Sequence, residues 1–211
     1  MNASMSECKR VGHDGKISAM NETNLAGSKA ELRASLKQRR DALAFDPDLS
    51  AGLNAELAEL CLINGAKKIA CYLAFANEPD TELFIDWALE NEIEVLAPVS
   101  KESGDLEWVR FNGETAPGIL GFHEPVGAIV DASDVDLMII PAMAIDQKGN
   151  RIGKGKGFYD RYLATLSATP PLVAVVYDEE LLESIPAEPH DKLIDAVVTP
   201  SQTVRFNQRL K

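Results

Sequence analysis

At 211 residues with 45% hydrophobic side chains, the chain is long enough for one domain with a substantial core, or at most two very small ones, and wholesale disorder is excluded. A formal net charge of -12 and a pI near 4.7 disfavour broad binding to nucleic acid or to an anionic membrane, which needs a basic footprint. Cys8, Cys61 and Cys71 are odd in number and widely spaced, and His13, His123 and His190 are scattered, which suits reduced thiols in the cytoplasm and suggests neither a disulfide framework nor a structural zinc site.

Residues 1–27 are polar and aperiodic, lack the apolar stretch of a signal peptide, and carry Glu7, Asp14 and Glu22 against a transit-peptide pattern. They are expected to be a disordered extension, or an over-long start given Met5 and Met20, and to carry no chemistry. The remainder, 28–211, shows no linker and is expected to form one domain. Ser28 and Glu31 have the spacing of a capping box, ahead of Leu32, Leu36 and Leu43 on one helical stripe. A second helix is predicted from Ser50 to Leu62, with Leu53, Leu57, Leu60 and Cys61 on its apolar face and Gly65 beyond its end.

KIACYLAF (68–75) reads as a buried strand, and Glu78–Thr81 as a turn into a helix that buries Phe84, Ile85, Trp87 and Ala88. Strands are predicted at 94–99 and 106–111, followed by a loop through Gly118 and Gly121. DLMIIPAMAI (136–145) is one continuous apolar run, as expected of a central strand covered on both faces. A polar, glycine-rich loop and a helix over 158–166 follow, then buried strands LVAVVY (172–177) and DAVVTP (195–200), with helical DEELLESI between them. Alternating strands and helices predict an α/β layered fold with a mainly parallel central sheet flanked by helices. In such sheets ligands gather outside the carboxyl ends of strands, where the loop after Ile145 lies. No apolar run approaches the length of a membrane span.

That loop, from Gly149 to Arg161, is the most informative stretch. Gly149, Gly153, Gly155 and Gly157 let backbone N–H groups converge on an anion, and the following helix adds its positive end. Arg151, Lys154, Lys156 and Arg161 concentrate positive charge in an otherwise acidic protein. The spacing matches neither a P-loop nor the dinucleotide G-x-G-x-x-G, and taken alone such a loop could be a solvated turn.

KAELRASLKQRR, YLAFANEPDT, GILGFHEP and above all PAMAIDQKGNRIGKGKGFYDRYL closely resemble the 5-formyltetrahydrofolate cyclo-ligases, over about 28 to 200. Phe158 departs from the family, which often has Tyr there. The resemblance implies a fold of the sugar-phosphate isomerase and CoA-transferase type, and closure of 5-formyltetrahydrofolate to 5,10-methenyltetrahydrofolate with ATP as co-substrate and Mg²⁺. It also implies small-molecule partners, with neither nucleic acid nor membrane, and a monomer is expected.

Residue by residue, the resemblance assigns ATP contacts to Lys29 and Arg33, and to the loop Arg151, Gly153, Lys154, Gly155, Lys156, Gly157, Phe158 and Tyr159. Lys156 and Arg151 are the expected catalytic cations, with Lys156 nearest the transferred group. On pattern alone, Lys29 and Arg33 fit a solvated helix face equally well. Leu73, Glu78 and Tyr159 are the expected substrate contacts, although Leu73 and Tyr159 also read as core and Glu78 as a helix start. Asp160 and Asp191 are the candidate magnesium ligands, against a first-turn acid and a turn or cap residue respectively. Two other readings compete: a non-catalytic nucleotide- or RNA-binding module, and a sugar-phosphate isomerase acting without ATP.

Overall fold

The computed structural model describes residues 29–43, 46–187 and 192–211, so the 1–27 extension, Ser28 of the expected capping box and Asp191 lie outside the described residues. Helix α1 spans Lys29–Asp41 and α2 spans Pro47–Asn64. α2 begins three residues earlier than the apolar stripe predicted, because Pro47 is preset for a first helical turn and the Asp46 side chain caps the Asp48 N–H at 3.0 Å. Gly65, in the left-handed region at φ 65°, ends it by donating its N–H to Leu62 O, while the N–H of Ala66 bonds to Cys61 O. Leu43 falls beyond the end of α1 and is exposed, so the expected stripe stops at Leu36.

β1 (Lys68–Cys71) is shorter than predicted: after Cys71 the chain leaves the sheet and becomes the wall of a cleft. α3 (Glu82–Glu90) buries Phe84, Ile85 and Ala88, with Trp87 half-buried beside them. β2 (Glu94–Ser100) and β3 (Leu106–Arg110) lie where expected. The glycine loop through 118 and 121 joins a small hairpin, β4 (Thr115–Pro117) and β5 (His123–Pro125), and β6 (Ile129–Val130) adds an edge.

The apolar run 136–145 is two strands, not one. β7 (Leu137–Pro141) belongs to the main sheet, whereas β8 (Ala144–Asp146) pairs with β9 (Arg151–Ile152) and with β11 (Leu181–Leu182) in a separate three-stranded sheet. Pro141 closes β7, since it has no N–H to extend a ladder, yet hydrophobicity continues because the second sheet is buried too. α4 (Phe158–Thr165) and β10 (Leu172–Val175) follow. DEELLESI is not helical. It forms one 3-10 turn (Asp178–Glu180), and then Leu181–Leu182 enters β11, parallel to β8. β12 (Ala196–Val198) and an antiparallel edge, β13 (Thr203–Arg205), complete the chain.

The eight strands of the main sheet run in the order β13-β12-β10-β7-β1-β2-β3-β6. The central strands β12, β10, β7, β1 and β2 are parallel, and the outer ones antiparallel. Alternate residues face opposite layers: Ile69, Val95, Ile139 and Val173 pack toward α2 and α3, while Ala70, Leu96, Met138 and Ala174 pack with Leu163 of α4. The expected α/β fold with a mainly parallel sheet is therefore the observed one. The chain steps from β1 to β2 on one side and later returns to β7 on the other, so strand order reverses at β1 and β7, where an open α/β sheet leaves a crevice.

α1 is docked outside these layers by Leu36, which packs on Met143, Ala144, Ile152 and Ile185, and by Arg40. The Arg40 guanidinium, 1% exposed, donates two 2.6 Å hydrogen bonds to Glu180 and one of 2.6 Å to Ala142 O, at the point where the chain passes between sheets. Removing one partner leaves a buried charge uncompensated. Arg40→Ala is expected to lower unfolding free energy by about 3–5 kcal/mol in urea titration, and an Arg40→Met, Glu180→Leu double variant to recover most of it.

Candidate functional site

A cleft of about 510 Å³ opens where β1, β2 and β7 end. The segments after β1 and β7, α1, the hairpin loop after Gly118, and the loop 151–160 all line it.

The glycine-rich loop owes its shape to the turn before it. β8 and β9 are antiparallel, with Ile145 opposite Arg151. The buried Asp146 carboxylate at the turn accepts from the N–H groups of Lys148 (2.9 Å), Asn150 (3.0 Å) and Ile185 (3.3 Å), and from Asn150 Nδ2 (2.8 Å). Four donors leave little of its hydrogen-bonding capacity unmet. Beyond Ile152 the chain runs along the cleft. Gly155 (φ 92°) and Gly157 (φ 71°) occupy the left-handed region, and a Cβ on Gly157 would lie 2.9 Å from the Arg161 guanidinium. Gly157 also precedes α4 without a capping side chain, so the first turn of α4 lines the cleft with its N–H groups uncapped.

The cations of the loop have different surroundings. Arg151 is held under the loop, its side chain 7% exposed, by Pro141 O (3.1 Å) and an ion pair with Asp160. Lys154 lies 2.8 Å from a Glu78 carboxylate oxygen, with its ammonium 3.7 Å from the centre of the Phe75 ring. Lys156 is exposed and has no ion-pair partner among the described residues. Arg33 reaches across from α1 to donate to Gly153 O at 2.9 Å. Arg161, by contrast, is tied to Gly104 O on a neighbouring loop at 3.0 and 2.5 Å.

Leu73, Glu78 and Tyr159 meet in the same cleft. Glu78 is 5% exposed, accepts from the Phe75 N–H at 3.2 Å, and has its backbone carbonyl held by the Tyr177 hydroxyl at 3.2 Å. Between Phe75 and Glu78 the turn passes through Ala76 at φ 55°, an unfavourable conformation for an L-residue. Tyr159 packs against both apolar layers and sits edge-on to Trp108 at 6.4 Å. Burial, reinforced by the Glu78 charge, raises the Tyr72 and Tyr159 hydroxyls well above the ordinary tyrosine range. Both therefore act as neutral hydroxyls and not as bases.

Sequence position and place in the cleft differ in a few cases. Arg33 and Lys37 line it, but Lys29, one turn earlier, does not. Asp160 stands at the rim, paired to Arg151. Phe75 and Phe122, stacked 4.1 Å apart, form an aromatic wall that sequence reasoning did not assign. Phe75 was hidden inside a predicted strand, while the glycine-flanked Phe122 was the available signal. Lys37 follows from Arg33 by helical spacing, one turn on, where it pairs with Asp41 at 2.5 Å. Among the described residues, no group of three or more His, Cys, Asp or Glu side chains clusters so as to hold a metal ion. No helix among them is long and apolar enough to cross a membrane.

A model of the 5-formyltetrahydrofolate cyclo-ligase family matches residues 26–200. A 5-formyltetrahydrofolate cyclo-ligase of Mycolicibacterium smegmatis is 33% identical over 188 residues, 84% of this chain and 96% of its own. The enzyme of that name from Escherichia coli K12 is also 33% identical, over 79% of this chain and 97% of its own. Among solved structures, the Aquifex aeolicus 5,10-methenyltetrahydrofolate synthetase superposes with a TM-score of 0.74 at 30% identity, covering 85% of this chain and 93% of that one.

The two kinds of loop residue should separate in stability measurements. Asp146→Ala strands several buried donors and is expected to cost about 1–3 kcal/mol or more, whereas Lys156→Ala should stay within about 0.5 kcal/mol of wild type in urea titration.

Proposed function

The chain belongs to the 5-formyltetrahydrofolate cyclo-ligase family, and from that premise we propose that its cleft binds ATP along the loop 151–160 and a reduced folate against the wall from Leu73 to Glu78. The enzyme closes 5-formyltetrahydrofolate to 5,10-methenyltetrahydrofolate, releasing ADP and phosphate. One observation carries the assignment of the cleft: the cationic glycine loop and the buried Glu78 border one cavity and meet through a 2.8 Å ion pair.

The chemistry explains why such a cleft serves. A formamide oxygen is a poor leaving group, so it must first be activated. In our reading the formyl oxygen attacks the γ-phosphorus as ADP leaves. N10 then attacks the formyl carbon, and loss of phosphate and the N10 proton gives the methenyl bridge. The protein supplies alignment and charge stabilisation. Lys156, exposed and unpaired with any described residue, is suited to follow the transferred phosphoryl group. Arg151, pinned beneath the glycines, and Arg33, bonded to Gly153 O, hold the loop in register. Uncapped N–H groups at the start of α4 suit phosphate oxygens. Buried Glu78 is an apt acceptor for the N–H donors of a pterin ring, and Tyr159 and Leu73 offer it apolar surface.

Magnesium fits as a companion of the nucleotide rather than as a resident ion. Mg²⁺ usually takes one or two carboxylates and completes its shell with phosphate oxygens and water, so Asp160 at the rim is sufficient once it is drawn from Arg151. When bound, the ion would neutralise charge on the triphosphate. Cytoplasmic residence and a monomeric state complete the proposal.

Mixing the protein with Mg-ATP and 5-formyltetrahydrofolate should generate the near-ultraviolet absorbance of the methenyl product, and ATP-independent isomerisation of a sugar phosphate would replace this reading. Lys156→Ala is expected to lower kcat/KM by on the order of 100-fold. Near-normal turnover at limiting ATP would make this lysine peripheral.

A further inference from the structure

Glu78 and Lys154 are 76 residues apart in sequence, and each belongs to a different half of the cleft. Glu78 ends the turn after β1, on the folate side, and Lys154 sits in the nucleotide loop after β9. Without ligands they satisfy one another. The Glu78 side chain is 2% exposed, with one oxygen held by the Phe75 N–H at 3.2 Å and the other by the Lys154 ammonium at 2.8 Å. The ammonium rests in turn over the Phe75 ring, 3.7 Å from its centre. Lys154 is thus parked against the folate wall by two contacts.

We propose that Glu78 is a positioning residue for Lys154 as well as a substrate contact, and that exchange of this ion pair couples the two substrate sites. The inference rests on the assignment of the cleft given above. A triphosphate along the loop competes with Glu78 for the lysine. If Lys154 turns to phosphate, one oxygen of a buried carboxylate loses its donor, and burying an ionised acceptor without a partner is costly. A folate ring placed against Glu78 supplies N–H donors for that oxygen and removes the penalty. Conversely, a folate that occupies Glu78 releases Lys154 for the nucleotide. Each ligand thus prepares the site of the other, and the coupling must be reciprocal.

The Phe75 turn gives the exchange a fixed pivot. The Glu78 backbone is tied by Tyr177, and its carboxylate by Phe75, so Lys154, on a flexible stem and one-third exposed, is the partner that moves.

The test is calorimetric. A non-hydrolysable ATP analogue with magnesium is titrated into the full chain, with and without saturating 5-formyltetrahydrofolate. In the wild type, folate should tighten analogue binding by about 5-fold or more, within the usual range of coupling between sites. Glu78→Gln keeps the shape and the acceptor for Phe75 but abolishes the charge. It should bind the analogue alone more tightly than the wild type does, and the folate-dependent factor should collapse toward one. A wild-type factor near one, or an undiminished factor in Glu78→Gln, would overturn the proposal. The wild-type comparison stands alone if that variant does not fold. Failure of the broader assignment looks different, since the wild type would then form no methenyl product with Mg-ATP.

Discussion

The buried Asp146 carboxylate accepts four hydrogen bonds, and the turn it organises sets both the origin and the direction of the loop that borders the cleft. Ligand-binding loops rich in glycine lose conformational entropy when they order, and this loop has Gly149, Gly153, Gly155 and Gly157 within nine residues. A rigid hairpin at its start and α4 at its end confine the flexible part to a few residues. Asp146 also receives the N–H of Ile185, which ties the turn to the segment after β11. The same small sheet carries Ile152 beneath α1, so the loop and the helix that bears Arg33 rest on one support.

A second constraint is electrostatic. An acidic protein that gathers cations around a cleft must keep them from repelling one another when no anion is bound. Most are paired within the cleft: Arg151 with Asp160, Lys154 with Glu78, and Lys37 with Asp41. Arg33 is directed to a backbone carbonyl. A polyphosphate ligand therefore exchanges partners with these side chains rather than neutralising bare charge. That exchange makes the cleft responsive to what else is bound, because each displaced carboxylate must find a new donor.

Topology decides where the pieces meet. Strand order reverses at β1 and β7, and the chain segments leaving these two strands diverge to form the two walls. The wall after β1 presents Leu73, Phe75 and Glu78, while the segment after β7 leads through Pro141 and Met143 into the hairpin and the loop. Arg40 secures α1 over the junction by bonding Ala142 O and Glu180 together.

The sequence by itself determined the layered α/β class, most strand positions, and the loop 149–161, because each is written in contiguous residues whose periodicity or glycine spacing is local. Likewise Glu78 and Leu73 could be named from a contiguous motif. It did not show that 136–145 divides between two sheets, since both strands are buried and a hydrophobic run looks the same in either. Nor did it show that DEELLESI pairs with β8, or that Glu180 is there to meet Arg40, 140 residues earlier. The Lys154–Glu78 ion pair, the Phe75–Phe122 wall and the absence of Lys29 from the cleft lining were likewise decided only by tertiary structure. Contacts between distant segments depend on strand order and loop path, and a residue's own neighbours in sequence carry no record of either.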